Sequence, residues 1–314
     1  MTHEDIQTQL AYVPVVENKT VLPTAHVVIG GMGGSALGAE ALVFLDPTLP
    51  IKIYRGYGLP EHDDGSALHI AISHSGTTEE TLSFAQAAKE KNVPIAAIAS
   101  GGALIAFAKD AGMPFVQIPP RGQPRNALMY LCRAVSTLIG REDLLTVLEK
   151  VVFDEDAAQK DAERLATATS DALPIFYASD KNRFLARLAR INMSETAKMP
   201  SFDNVFPEIN HNEMQSYDTT APEEVAALTR FVLIRDTEDD PRIVKRMDIF
   251  AELMRERGRS VMELSLIGNS RAEKLLRFWY TAQHSAGALA QKRSIDPDSV
   301  PLVDEFKKRL RKQA

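Results

Sequence analysis

The chain has 314 residues, with 36 Lys and Arg against 42 Asp and Glu and a formal net charge of -6. That balance, with no basic stripe interleaved with aromatics, excludes nucleic acid as a partner on a first reading. Hydrophobic content of 45% and charged content of 25% are those of an ordinary soluble globular chain, and the length exceeds what one core fills, so two domains are expected, at 1–151 and 152–314.

The start of the chain, Met1 to Gln9, is polar and acidic and lacks the basic, apolar and small-residue order of a signal peptide. From residue 26 short β-branched runs alternate with helical patterns. Strands are predicted at His26 to Gly30, Ile51 to Arg55, His69 to Ser73, Pro94 to Ala99 and Phe115 to Ile118, the signature of a doubly wound parallel sheet. The longest apolar-rich region, Pro94 to Ala108, is interrupted by Ser100-Gly101-Gly102 and is too short to span a bilayer, so no membrane partner is expected. The single cysteine, Cys132, lies in an apolar helical stretch, which suits a core position in a reducing compartment, and the chain reads as cytoplasmic.

Residues 142–168 read as one long helix closing the first domain, after which the alternation restarts. Strands are predicted at Pro174 to Ala178, Phe231 to Arg235 and Val261 to Leu266, and helices at Arg183 to Lys198, Pro241 to Arg257 and Arg271 to Gln291. An extended Ser294 to Val303 then leads into a terminal helix, where Lys307-Lys308-Arg309 with Arg311 and Lys312 reads as a solvated face. The second half is of the same α/β class as the first.

Two strand-to-helix junctions carry chemistry. Gly30-Gly31-Met32-Gly33-Gly34-Ser35 follows the first strand, so its amides can face an anion at a helix N-terminus. Gly31, Gly33 and Ala36 also fit the glycine pattern of a dinucleotide site, but that site wants an acidic residue at the end of the next strand, where Tyr54-Arg55 stands. The third strand runs into Ser73-His74-Ser75-Gly76-Thr77-Thr78-Glu79-Glu80-Thr81. Hydroxyls and amides converging there, without a P-loop lysine, suit a phosphate that is held and not transferred. The alternative is an ordinary cap, with Ser75 or Thr77 serving the helix and Glu80 completing a capping box. Arg125, after Pro124 at a helix start, is disfavoured by the dipole unless an anion lies beside it.

Gly-Met-Gly-Gly-Ser at 31–35 and Ser-x-Ser-Gly-x-Thr-x-Glu-Thr at 73–81 resemble the phosphate loops of the sugar isomerase (SIS) domain, and Pro124-Arg125 adds to the likeness. In the second half, Asn192-Met193-Ser194-Glu195-Thr196-Ala197-Lys198 and Asn204-Val205-Phe206-Pro207-Glu208-Ile209-Asn210-His211-Asn212-Glu213 resemble the segment N-E-x-x-K…N-x-x-P-E-x-N-H-N-E that typifies bifunctional phosphoglucose/phosphomannose isomerases, with Ser194 in place of its first asparagine. Asp296-Pro297, Val300-Pro301 and Val303-Asp304-Glu305-Phe306-Lys307 resemble the same family's tail.

The resemblance covers nearly the whole chain. It implies two SIS-type doubly wound parallel-sheet domains, each a three-layer αβα sandwich, the first holding the phosphate and the second the catalytic glutamate. It implies interconversion of glucose 6-phosphate and fructose 6-phosphate, and of mannose 6-phosphate, with no cofactor. Moving a proton between C1 and C2 needs a base, a group to open the ring and a cation near the enediolate oxygens, and no metal. On this reading the phosphate lies against Gly33, Gly34, Ser35, Ser73, Ser75 and Thr78. Glu195 is the base, and Arg125 stabilises the enediolate. His211 and Lys292 open the ring, with His211 donated across the interface of a homodimer. The family threonine associated with mannose phosphate is replaced by Ser285, and His74 stands where the family often has tyrosine. Two rivals stay open: an SIS-domain enzyme acting on another sugar phosphate, and a non-catalytic phosphosugar-binding regulator.

Overall fold

In the computed structural model, which describes residues 3–218 and 223–313, the first half of the chain runs through α1 (His3–Leu10), β1 (Val16–Glu17), β2 (Val27–Gly31), α2 (Leu37–Leu45), β3 (Ile51–Tyr54), β4 (Leu68–Ile72), α3 (Glu79–Glu90), β5 (Ile95–Ala99), α4 (Gly102–Asp110), β6 (Phe115–Gln117), α5 (Leu128–Leu138) and α6 (Glu142–Glu149). The second half runs through α7 (Glu155–Thr169), β7 (Leu173–Ser179), α8 (Arg183–Glu195), β8 (Phe202–Phe206), α9 (Glu223–Leu228), β9 (Thr229–Arg235), α10 (Pro241–Glu256), β10 (Ser260–Ser265), α11 (Arg271–Lys292) and α12 (Pro301–Gln313). Met1, Thr2 and the side chains of Arg311 and Lys312 lie outside the described residues. The chain divides into two compact units, Met1–Phe153 with Asn269–Leu276 and Asp154–Gly268 with Arg277–Ala314.

The first unit holds a 6-stranded sheet in the order β1-β6-β5-β4-β2-β3. β1 pairs antiparallel with β6, and β2 to β6 are parallel to one another. Val27–Gly31, Leu68–Ile72 and Ile95–Ala99 are buried along their whole length, which is why apolar residues dominate both faces of each run. The order reverses between β2 and β4. Right-handed crossovers therefore carry α2 to one face and α3 and α4 to the other, giving three layers. Each fully buried Leu, Ile or Phe of this core contributes about 2 to 3 kcal/mol.

One polar side chain is set into that core. His69 of β4 is fully buried, with Nε2 2.5 Å from Asp63 Oδ2 and Nδ1 3.1 Å from the Pro94 carbonyl. Burial alone would raise the Asp63 pKa. The hydrogen bonds from His69 and the Gly65 amide, with the His69 charge, outweigh it and hold the carboxyl below the usual aspartate range.

The second unit holds a 4-stranded parallel sheet in the order β10-β9-β7-β8. It repeats the inner order of the first sheet, with a reversal between β7 and β9. Its core is aromatic: Tyr177, Phe206, Phe231 and Phe250 are buried, and Tyr177 and Phe206 meet Phe250 edge to face at 5.5 and 5.6 Å.

The structure departs from the predicted elements at four places. The helix predicted over 142–168 breaks in two, because Phe153 turns inward to burial and Asp154 caps α7, accepting from the Ala157 amide at 2.9 Å. The helix predicted to reach Lys198 stops at Glu195, and Lys198 takes a positive φ of 54°. Strand β8 was not among the predicted strands; it is an edge strand whose Asp203 and Asn204 bond Arg190 and Glu213. Finally, α12 begins at Pro301, inside the stretch read as extended, with proline at a first-turn position where its missing N–H costs nothing.

Candidate active site

In the first unit the two predicted phosphate loops leave the sheet from β2 and β4, the strands flanking the order reversal. The helices that follow diverge to opposite faces, so a crevice opens at these carboxyl ends. Gly33–Ala36 forms a 3₁₀ turn before α2, and Ser73–Thr78 leads into α3. The loops are tied together: buried Ser35 accepts through Oγ from the His74 amide at 3.1 Å.

Within the second loop, buried Ser73 donates through Oγ to Thr78 Oγ1 at 2.9 Å, while exposed Ser75 and Thr77 bring their hydroxyls within 3.1 Å of each other. Thr78 occupies the N-cap of α3 without a side-chain capping hydrogen bond. The capping-box reading is therefore not realised, and the first-turn amides keep the capacity to bind an anion. Gly76 has φ +68°, and a Cβ there would lie 1.8 Å from the Gly101 carbonyl oxygen. Only glycine lets the loop after β5 approach so closely. That third loop braces the second, with Ser100 Oγ donating to the His74 carbonyl at 2.6 Å. The His74 side chain is buried, and burial lowers its pKa, so it packs as a neutral ring.

Arg125 is fully buried in the first unit, on the 3₁₀ turn Pro124–Asn126 that precedes α5. A Cβ on Gly34 would stand 2.9 Å from both the Arg125 amide nitrogen and Pro124 Cβ, so glycine at 34 is what lets the first phosphate loop and the arginine turn touch. A residue not anticipated from the sequence holds this turn. Gln9, buried on α1, donates through Nε2 to the Asn126 carbonyl at 2.8 Å and accepts through Oε1 from the Met129 amide at 3.1 Å. It stands in for the cap that Ala127 cannot supply. Gly33, Gly34, Ser35, Ser73, Ser75, Thr78 and Arg125 are thus gathered at one edge of the first sheet.

In the second unit the candidates separate. α8 returns the chain from the carboxyl end of β7 to the amino end of β8, so Glu195, half-buried at the last position of α8, lies at the amino edge of the sheet. Lys292, the last residue of α11, reaches the same edge: neighbouring Arg293 donates to the Ser170 carbonyl, just before β7, at 2.7 Å. Lys198 fastens this edge, donating to the Glu195 carbonyl at 2.5 Å and to the Pro297 carbonyl at 3.3 Å. Ser285, earlier on α11, is fully buried, and its hydroxyl donates to the Ala282 carbonyl at 3.0 Å.

His211 lies at the opposite, carboxyl edge, exposed on the turn after β8. Its segment is held by Glu213, which accepts from the Tyr177 hydroxyl and from Asn204 Nδ2 at 2.6 Å. Of the flanking amides, Asn212 donates to Glu208 at 2.6 Å, while Asn210 contacts Met214 Sδ at 3.6 Å and accepts through Oδ1 from Arg246 of α10 at 3.3 Å. Among the described residues no group of three or more His, Cys, Asp or Glu is placed to hold a metal ion, and no helix is long and apolar enough to cross a membrane.

Comparison with known proteins places these features in a family. The model of the bacterial phospho-glucose isomerase C-terminal SIS domain matches residues 158–310. A bifunctional phosphoglucose/phosphomannose isomerase from Caldicellulosiruptor bescii is 36% identical over 303 residues, covering 90% of this chain and 89% of its own. A D-glucosamine-6-phosphate 4-epimerase from Sulfolobus acidocaldarius is 32% identical over 195 residues, covering 60% of this chain and 63% of its own. Among solved structures, a hypothetical protein from Thermus thermophilus superimposes with a TM-score of 0.73 at 17% identity, over 99% of this chain and 86% of its own.

Proposed function

Because this chain belongs to the bifunctional phosphoglucose/phosphomannose isomerase family, we propose that it is an aldose-ketose isomerase that interconverts glucose 6-phosphate and fructose 6-phosphate, and mannose 6-phosphate with the same ketose. The observation that carries this reading is the joining of the Gly33–Ser35 and Ser73–Thr78 loops at the order reversal of the first sheet, with Arg125 against Gly34. A buried guanidinium beside the phosphate loops can offset the negative charge that develops on an enediolate.

In this mechanism the 6-phosphate takes hydrogen bonds from the amides of the two loops and from Ser35, Ser75 and Thr78, with Ser73 orienting Thr78 through its donated hydrogen bond. Lys292 and His211 open the sugar ring. Glu195 removes the proton at C2 of the aldose or C1 of the ketose and returns it to the other carbon through a cis-enediolate, whose charge Arg125 offsets. The side chains at Glu195 and Lys292 share one edge of the second sheet and His211 does not, which supports a homodimer in which His211 serves the site of a second copy. Ser285 bears on the choice between glucose and mannose phosphates. The protein works in the cytoplasm.

Isotope transfer tests the chemistry. Fructose 6-phosphate isomerised in deuterium oxide should gain deuterium at C2 of the aldose product, and Glu195→Gln should abolish the exchange while leaving phosphosugar binding nearly intact. Undiminished exchange in that variant would mean another base acts. The 4-epimerase relative favours one second reading, reaction at C4, and deuterium or inversion at that carbon would reveal it.

A further inference from the structure

The terminal helix α12 is amphipathic and presents its apolar side to solvent. Leu302, Phe306 and Leu310 recur every four residues on one stripe with Val303 beside it, and they are 79%, 61%, 39% and 46% exposed respectively. Every residue from Pro301 to Leu310 is exposed. A stripe of this kind, with every described side chain of the helix exposed, is a surface made for a partner.

We propose that α12 pairs antiparallel with α12 of a second copy of this chain, about a two-fold axis at Phe306. The proposal rests on the dimer proposed above and names one of its contacts. The spacing is self-complementary: Phe306 stands at the centre of the stripe, so antiparallel pairing sets Phe306 against its counterpart and Leu302 against Leu310 of the second copy. The charges agree. Acidic Asp304 and Glu305 precede basic Lys307, Lys308 and Arg309, so antiparallel helices oppose unlike halves, whereas parallel ones would align like with like. At 100° per residue Glu305 and Arg309 fall on the same flank of the stripe, where they already bond each other within one chain. In the pair each copy's Glu305 comes within a turn of the other's Arg309. Two such stripes cover only a few hundred Å², below the roughly 1,200 Å² of a stable interface, so the helix pair reinforces a larger contact.

Sedimentation equilibrium of the full-length protein tests this. Phe306→Glu should raise the dimer dissociation constant at least about tenfold, as loss of a central aromatic anchor does. Glu305→Lys should raise it less, and Glu305→Lys with Arg309→Glu should return it to the wild-type value. Dimers of unchanged affinity in Phe306→Glu, with an unchanged melting temperature, would overturn the helix pair and leave the homodimer standing. A wild-type chain that stays monomeric would overturn both, as would a monomer that binds phosphatidylglycerol vesicles through α12, while leaving the isomerase assay to be judged separately.

Discussion

Glu195 and His211 stand at opposite edges of the second sheet, separated by the 5-residue strand β8. At about 3.3 Å per residue the strand alone spans more than 10 Å, so the two residues face opposite ends of the sheet. In the proposed homodimer, one site takes Glu195 from one copy of the chain and His211 from the other. Mixing Glu195→Gln with His211→Ala subunits should then restore activity that neither variant has alone. Random exchange gives a heterodimer with one intact site in half of the dimers, so about a quarter of wild-type activity is expected in a coupled assay after subunit exchange. No recovery, with exchange verified, would put both residues in one subunit's site or remove His211 from catalysis.

Gln9 predicts a defect far from the chemistry. Its side chain bonds both Asn126 and Met129, so Gln9→Leu removes the donor to the half-buried Asn126 carbonyl and the acceptor for the buried Met129 amide, at a cost of about 1 to 3 kcal/mol. The Arg125 turn should loosen. Because Arg125 is assigned to the enediolate, kcat should fall several-fold more than KM changes, and Gln9→Glu, which keeps the acceptor toward the Met129 amide, should recover part of the loss. A uniform loss of stability with unchanged kcat would limit Gln9 to a structural role.

The Asp63 and His69 pair makes stability depend on acid. The Asp63 pKa is lowered in the folded protein, so its contribution is fully present above the ordinary aspartate value and is lost as pH falls through the lower folded value. Asp63→Asn breaks a buried pair and should destabilise the protein by about 3 kcal/mol at pH 7. The gap between variant and wild type in urea denaturation should narrow toward pH 3. A gap that stays constant would assign the effect to packing.

Much of this was legible in the residues because burial on both faces leaves short runs dominated by apolar residues. Val27–Gly31, Leu68–Ile72 and Ile95–Ala99 are such runs, and the hydroxyl-rich loop at Ser73–Thr78 follows one of them directly. β8 was not legible, because an edge strand tolerates polar residues and Asp203 and Asn204 hide its pattern among turn formers. The break at Phe153-Asp154 was hidden because both flanking segments are helix-forming, and only the burial of Phe153 separates them. Gln9 carries no local signal: its partners are more than a hundred residues away in sequence. The same is true of Ser100, whose hold on His74 exists only once β4 and β5 lie side by side.

The most direct test is turnover itself. Purified protein in excess chelator should convert fructose 6-phosphate to glucose 6-phosphate in a dehydrogenase-coupled assay, and mannose 6-phosphate to fructose 6-phosphate in a parallel one. Both conversions are predicted, each abolished by Glu195→Gln. Failure of both, in protein that still binds phosphosugar, would contradict the isomerase assignment and leave a phosphosugar-binding protein of another kind.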